Sequence, residues 1–193
     1  ADPESKTPFV IYIHSGGFGA GSKNAAYTKN NFKRVKRLLE NNISFATIDY
    51  RFKNNDDFLL SSLNDAKRAL QYLKFNNEKF NLLKNKVALM GASAGATSSL
   101  WVGLQDDLSD QNSTDPVLRE STKVSCIVGM AAAHSLNLNR WKEMANVDED
   151  YLKSIFEKYL GKMDTEKWMK RSFDKDYISE VDFFEKMDSN DPP

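Results

Sequence analysis

Four short runs of apolar and β-branched residues recur along the chain, and each has the length and composition of a buried strand. These runs are Phe9–Ile13, Ile43–Tyr50, Lys86–Met90 and Val124–Met130. Between the first three, apolar residues recur every three or four positions, which predicts helices at about Tyr27–Asn41 and Phe58–Phe75. Strands that alternate with helices predict an α/β fold, a mostly parallel sheet with helices on both faces.

The two helical patterns each place their apolar residues on one side. In the first helix the predicted buried stripe comprises Phe32, Val35, Leu38 and Leu39. In the second helix it comprises Leu59, Leu63, Ala66, Leu70 and Leu73. The basic cluster from Lys33 to Arg37 falls on the opposite side of the first helix and is interpreted as a solvated face.

The second half of the chain gives weaker patterns. A helix is predicted from Ser93 to Leu104, and the polar residues 105–121 form a surface excursion. From Asn146 onward the pattern is again helical. One amphipathic helix is predicted to contain Tyr151, Ile155, Phe156, Tyr159 and Leu160. Trp168 and Phe173 indicate a second short helix, and the apolar residues from Ile178 to Phe184 a last turn.

Composition excludes several classes of function. The 193 residues, interpreted as a single domain, carry 27 basic and 27 acidic side chains, a balance that provides no field for nucleic acid or an anionic membrane. No apolar run reaches the ~18 to 20 residues of a membrane span. Two distant histidines and one cysteine do not form the spacings of a metal site. Cys126 falls in a predicted buried strand and is interpreted as a small core residue.

The third strand runs directly into the pentapeptide Gly91 to Gly95, with the sequence Gly-Ala-Ser-Ala-Gly. A strand that opens into a helix through Gly-x-Ser-x-Gly must turn sharply, which holds the central serine exposed on a strained elbow. Ser93 is therefore a candidate nucleophile. A side chain at either glycine would collide where the new helix folds back, and the backbone N–H of Ala94 is free to meet an anion. The alternative is an ordinary Gly/Ser-rich turn.

The first strand also ends in a glycine-rich turn, His14-Ser15-Gly16-Gly17-Phe18. Tight glycine backbone at the carboxyl end of a strand can direct two N–H groups toward one point, as an oxyanion requires. Gly16 and Gly17 are the candidate donors. His14 and Phe18 are candidates for the lining of the substrate pocket.

Together, strand-HSGGF and strand-GASAG resemble the α/β-hydrolases of the hormone-sensitive-lipase type and the related small carboxylesterases. Their His-Gly-Gly-Gly motif has Ser15 at its first glycine here, and the resemblance implies that Gly16, Gly17 and Ala94 form the oxyanion hole. The run that ends in Asp49-Tyr50-Arg51 also resembles a strand of this family. We interpret Asp49 and Asp65 as pairing or capping groups around Arg51 and nearby helix ends.

The catalytic triad of α/β-hydrolases follows the chain order Ser, then Asp or Glu, then His. After Met130 no clear further strand is visible, and His14 precedes the nucleophile. His134 has three interpretations: a residue that lines the substrate pocket, a plain loop histidine, or the catalytic base. The resemblance implies two strands ahead of Phe9 and two strands after Pro193 that carry the acid and the base. We therefore expect the chain to be the central portion of a longer domain.

By analogy the four strands would lie in the order 43–50, 9–13, 86–90, 124–130, which brings both motifs to the carboxyl edge of the sheet. The resemblance implies hydrolysis of carboxylic esters through an acyl-enzyme, without a cofactor. The substrates that it favours are small acyl or acetyl esters, including such esters on carbohydrates. The chain alone is expected to be weakly active or inactive. The expected partners are a small-molecule ester and either a second copy of this chain or a different chain that completes the domain. The alternatives are a non-catalytic binding module of the same fold and a serine peptidase.

Overall fold

A computed structural model describes residues 5–54, 56–133, 135–160, 162–172 and 174–193. The strands are β1 (Thr7–Ile13), β2 (Ser44–Ile48), β3 (Leu82–Ala92) and β4 (Cys126–Met130). The helices are α1 (Lys29–Glu40), α2 (Leu60–Phe75), α3 (Ala94–Gly103), α4 (Leu138–Ala145), α5 (Glu149–Leu160), α6 (Lys162–Arg171) and α7 (Lys175–Val181). Single 3₁₀ turns lie at Lys23–Tyr27 and Phe184–Lys186.

The four strands form one parallel sheet in the order β2-β1-β3-β4, which confirms the predicted order. Ile13 at the end of β1 pairs with Ile48 of β2 and with Gly91 of β3. Both glycine-rich turns therefore leave the sheet at the same edge. The third strand begins at Leu82 rather than at Lys86, because Leu82 pairs with Thr7 beyond a register shift.

Helices cover both faces of the central strand, as the sequence predicts. Every residue from Phe9 to Ile13 is buried. Phe9, Ile11 and Ile13 pack into the main core with the apolar stripe of α2. On the other face, the ring of Tyr12 stacks on Phe45 at 6.3 Å and lies with α1 around a small cavity. Burying each large apolar side chain of this kind contributes about 1.5–3 kcal/mol.

The apolar stripe of α1 is only partly buried, in contrast to that of α2. Val35 is buried, but Phe32 and Leu39 are 51% and 55% exposed. The reason is that α1 covers the end of the sheet at β2, which is an edge strand of the described sheet. The predicted buried position of Cys126 is also wrong: it is half-buried, because β4 forms the opposite edge.

Two aspartates interpreted as structural do pair with cations. Asp65 accepts the backbone N–H of Arg51 at 2.8 Å and pairs with its guanidinium, where Nη2 lies 2.8 Å from Oδ1. Asp49 pairs with Lys23 at 2.9 Å and accepts its backbone N–H. The bidentate pair with Asp65 fixes the loop that leaves β2 against the start of α2.

The helices α4 to α7 form a cap that leaves the core after β4. The indole N–H of Trp101 donates to Glu180 O at 2.9 Å, and the N–H of Leu59 donates to the Tyr177 hydroxyl at 3.3 Å. At the base of the cap, the buried Ser135 hydroxyl donates to Asp182 Oδ1 at 2.9 Å. These contacts anchor the carboxyl-terminal end of the cap to the core.

None of the described helices is both long and apolar enough to cross a membrane.

Candidate active site

Ser93 occupies a strained turn between β3 and α3. Its φ is 52° and its ψ is −121°, a conformation that costs a side-chain-bearing residue about 1–3 kcal/mol. Its N–H donates to Met130 O at 2.8 Å, and its carbonyl accepts the N–H of Thr97 at 2.9 Å. The turn is therefore held from β4 and from inside α3, while Ser93 itself remains exposed.

The two glycines of this turn are required by close backbone approach. A Cβ at Gly91 would lie 2.3 Å from the carbonyl carbon of Gly95. A Cβ at Gly95 would lie 2.7 Å from the carbonyl oxygen of His14. Real side chains do not occupy such distances, so α3 can fold back onto the end of β1 only because both residues lack a side chain.

The turn after β1, which we call the glycine turn (residues 14–20), has three successive residues with positive φ. These values are 128° at Gly16, 58° at Gly17 and 60° at Phe18. The carbonyl of Gly16 accepts backbone N–H groups from Gly19 and Ala20, both at 3.0 Å. Because a trans peptide directs its C=O and N–H to opposite sides, these bonds also fix the direction of the Gly17 N–H.

Gly17, Phe18, Ser93 and Ala94 line one cavity. Within the described residues, no backbone hydrogen bond occupies the Gly17 N–H. Ala94 is the first residue of α3, so its N–H has no acceptor inside the helix. The structure thus brings the candidate nucleophile together with two of the three candidate donors. Gly16 is adjacent in the same turn but does not itself line the cavity.

His14 does not line the cavity, contrary to its assignment from the sequence. Its ring is buried and stacks on the Tyr50 ring at 4.2 Å, while its Nδ1 lies 2.7 Å from Ser15 O. The Tyr50 hydroxyl donates to His14 O at 3.1 Å, and burial raises the pKa of Tyr50 to about 12, so this donor stays protonated near neutral pH. The His14 side chain therefore points from the glycine turn into the interior, where it packs on Tyr50. His134 lies outside the described residues.

The cavity has a volume of about 390 Å³, and the cap helices form its outer wall. That wall consists of Trp141, Ala145, Val147, Tyr151, Leu152, Ile155, Phe156 and Trp168. The rings of Phe156 and Trp168 pack at 4.6 Å. A wall of this composition is suited to the apolar part of a ligand, and the few polar groups near Ser93 are suited to fix its orientation.

Two polar side chains beside Ser93 were not identified from the sequence. Thr97 lies one helical turn after Ser93, and its hydroxyl donates to Ser93 O at 3.2 Å and accepts the N–H of Ala133 at 3.0 Å. Lys53 lines the cavity from the loop after β2. The spacing from Ser93 could have identified Thr97. Nothing in the polar sequence around Lys53 distinguishes it from a surface lysine.

Among the described residues, no group of three or more His, Cys, Asp or Glu side chains is placed to hold a metal ion. No His, Asp or Glu belongs to the described lining of the cavity either. The described lining therefore provides neither a histidine nor a carboxylate beside Ser93.

Comparison with solved structures identifies this arrangement as an esterase fold. An acetyl ester-xyloside bifunctional hydrolase from Caldicellulosiruptor lactoaceticus is 27% identical, with a TM-score of 0.59 over 70% of this chain and 47% of its own. A thermophilic esterase from Thermogutta terrifontis has a TM-score of 0.68 at 14% identity, over 100% of this chain and 61% of its own. The likeness to the second protein shows the fold alone.

Curated relatives and a family model extend the comparison. Lipase 2 of Geotrichum candidum is 29% identical and Esterase P of Drosophila melanogaster 32% identical, each over 106 residues. These alignments cover 50% and 53% of this chain but only 19% of each relative, so the chain spans a small part of their length. The family model BD-FAE matches residues 1–185. The chain therefore belongs to the BD-FAE family and has the α/β-hydrolase fold of esterases and lipases.

Proposed function

We propose that this protein hydrolyses carboxylic esters, with Ser93 as the nucleophile of an acyl-enzyme mechanism. The observation that carries the proposal is the shared cavity, in which the exposed, strained Ser93 lies with the Gly17 and Ala94 backbone beneath an apolar wall. The lipase and esterase names of the relatives support the same class of reaction.

In the proposed reaction, Ser93 Oγ attacks the ester carbonyl carbon while a general base accepts its proton. The carbonyl oxygen becomes an oxyanion that receives hydrogen bonds from the N–H groups of Gly17 and Ala94, which line the cavity, and each such donor contributes about 3–4 kcal/mol in the transition state. The C–O bond to the alcohol then breaks, and the alcohol leaves with the proton. Water attacks the acyl-enzyme in the same way and releases the acid.

The base and its orienting acid come from outside the described residues in this proposal. The described lining of the cavity contains one charged side chain, Lys53, and the hydroxyl groups of Ser93, Thr97 and Tyr151 among otherwise largely apolar side chains, but no histidine or carboxylate. The chain supplies the nucleophile and the oxyanion donors, and the triad order of the fold places the acid and histidine later in the sequence.

The apolar cap wall favours esters with an apolar group of moderate size next to the reacting carbonyl. Trp141, Ile155 and Phe156 offer no charge to bind a polar acyl chain, whereas they can exclude water from it. Small acyl esters, including acetyl esters carried on a carbohydrate, fit the proposal when the sugar occupies the open side of the site. The name of the Caldicellulosiruptor hydrolase supports such substrates.

The test measures hydrolysis of p-nitrophenyl acetate and butyrate by the complete natural protein and its Ser93→Ala variant. We expect kcat to fall by about 10³-fold or more, because the nucleophile of the serine mechanism is lost. Ser98→Ala is the matched control: Ser98 lies in the same helix, and its buried hydroxyl donates to Ala94 O rather than lining the cavity.

The same experiment separates the alternatives. A phosphonate ester that reacts with active-site serines should add covalently to the wild-type protein and not to Ser93→Ala, which locates the modification by mass spectrometry. Ester turnover that survives in Ser93→Ala would refute the proposed mechanism. Reversible ester binding without turnover or labelling would instead support a non-catalytic module. Faster cleavage of a peptide anilide than of the esters would support a peptidase.

A further inference from the structure

Lys53 contacts the glycine turn twice. It is half-buried in the loop after β2 and lines the cavity together with Gly17 and Ser93. Its backbone N–H donates to Phe18 O at 2.7 Å, and its ammonium Nζ lies 3.4 Å from Gly17 O. Both carbonyls that follow the candidate oxyanion donor Gly17 are therefore held by one residue of a neighbouring loop.

The peptide between Gly17 and Phe18 needs such support. Phe18 has a φ of 60°, which is uncommon for a residue with a side chain. A half-turn rotation of this peptide would return Phe18 to a negative φ, and Gly17 tolerates the accompanying change because it lacks a Cβ. The same rotation would exchange the directions of the C=O and the N–H, which reverses the peptide dipole at the edge of the cavity.

The preceding peptide is held differently. The Gly16 carbonyl is fixed by the N–H groups of Gly19 and Ala20. Among the described residues, the donor to the Gly17 carbonyl is the Lys53 ammonium. A positive charge attracts the oxygen end of a peptide dipole and repels the N–H end, so it opposes rotation even at a distance longer than an ideal hydrogen bond.

Lys53 is itself carried by a well-anchored loop. The N–H and guanidinium of Arg51, two residues earlier, bind Asp65, and the Ser62 hydroxyl donates to Arg51 O at 2.6 Å. The loop is thus fixed to α2 just before Lys53. Because the backbone of Lys53 is already ordered, the contact between its ammonium and the Gly17 carbonyl costs less conformational entropy.

We propose that Lys53 is a positioning residue: by holding the Gly17 carbonyl it fixes the backbone that follows the Gly17 N–H, and so keeps the glycine turn in the conformation that offers this N–H to the oxyanion. This inference rests on the proposed ester hydrolysis and adds a specific role for a lysine that forms no part of the two glycine motifs. Lys53 acts through the backbone of the turn, and its charge is the property that matters.

The test compares Lys53→Met, which keeps the length of the side chain and removes its charge, with Lys53→Arg, which keeps the charge. Lys36→Met is the matched control, because Lys36 is exposed on α1. With p-nitrophenyl acetate and the complete natural protein, we expect Lys53→Met to lower kcat about tenfold with KM within twofold of wild type, a smaller loss than removal of a direct donor. Lys53→Arg should keep at least half of kcat, and Lys36→Met all of it.

Amide hydrogen exchange supplies a readout that needs no turnover. Peptides that span residues 14–20 should exchange several-fold faster in Lys53→Met than in wild type or Lys36→Met, while the melting temperature changes little. Unchanged kcat and exchange in Lys53→Met would overturn the proposal, as would an equal loss in Lys53→Arg. If the wild-type protein showed no turnover, or Ser93→Ala kept it, the proposed function would fail, and the exchange rates would still decide the role of Lys53.

Discussion

The backbone of Gly95 lies so close to Ile13 that an added Cβ would be 2.0 Å from the Ile13 carbonyl oxygen. Gly95 belongs to the first turn of α3, and Ile13 is the last residue of β1. The two elements that carry the glycine motifs are thus in direct backbone contact. Any shift of α3 away from β1 would also separate Ser93 from the glycine turn.

We therefore expect Gly95→Val to destabilise the protein by about 3 kcal/mol, because the side chain would overlap the backbone of β1. Urea unfolding followed by circular dichroism measures this change. Gly129→Ala is the control, since a Cβ there would meet only the Ala96 Cβ at an ordinary 3.6 Å. Equal stability of the two variants would show that α3 can move away from β1 without cost.

The strain at Ser93 predicts an opposition between stability and activity. Replacing Ser93 with glycine should relieve the positive φ, so Ser93→Gly should be about 1 kcal/mol more stable than Ser93→Ala, while both lack activity. Differential scanning calorimetry would compare the two. Ser99 lies in the interior of α3 and serves as the control position. There the glycine variant should be less stable than the alanine variant, because glycine weakens a helix. A Ser93→Gly variant less stable than Ser93→Ala would argue against a strained turn.

The cap wall predicts how substrate preference responds to its volume. Ile155→Trp adds bulk inside the cavity, so it should reduce kcat/KM for p-nitrophenyl hexanoate about tenfold relative to the acetate. Ser154→Trp places the same ring on the exposed side of α5 and should leave the ratio unchanged. If both variants kept the wild-type ratio, the acyl group would not occupy the cavity under the cap.

A buried lysine far from the site predicts a pH-dependent stability. Lys74 is 2% exposed, and burial lowers its pKa from 10.5 to about 8. The folded chain therefore loses this proton at a lower pH than the unfolded chain. Above about pH 8 the unfolded state binds more protons, so the free energy of unfolding should rise with pH, by about 2 kcal/mol from pH 7.5 to 9.5.

Lys74→Met should remove most of this rise and leave the smaller contribution of Lys67, whose pKa burial also lowers, whereas Lys36→Met should keep the whole rise. Urea unfolding at several pH values measures the slope. The rise of the free energy of unfolding should end near pH 10. Burial raises the pKa of Tyr50 from 10.0 to about 12. Above pH 10 the unfolded chain loses this tyrosine proton while the folded chain keeps it, so the free energy of unfolding falls again. A flat wild-type profile between pH 7.5 and 9.5 would show that the Lys74 ammonium is solvated in the folded state.

The sheet was predictable because its strands are largely apolar and two of them, β1 and β3, end in glycine-rich turns. The order of the strands followed from the resemblance, and the stripe of α2 followed from its helical period. Period alone did not show how much of α1 is covered, so Phe32 and Leu39 are exposed despite their spacing. Cys126 is half-buried for a related reason, since a residue pattern does not reveal which strand lies at an edge.

The candidate site was predictable only where backbone chemistry dictates residue type. Gly91, Gly95 and Ser93 occupy positions that few residues tolerate, so their pattern is visible in the sequence. The helix α4 was not predicted, and the apolar residues of α5 were recognised only as one side of a helix. Their position above Ser93 depends on how the cap folds back. The role of Lys53 depends on a contact between separate loops, which no local pattern encodes.

The hydrogen bond from Ser135 to Asp182 joins the two ends of the cap. A segment that leaves and re-enters a domain at one point can lengthen, shorten or be exchanged without moving the strands on either side. In this protein the exchangeable segment forms the outer wall of the cavity, while the sheet and its two turns hold the proposed nucleophile and oxyanion donors. If the proposed function holds, changes confined to the cap would alter substrate preference and leave the reacting groups in place, and caps of related proteins could be grafted at the same two residues.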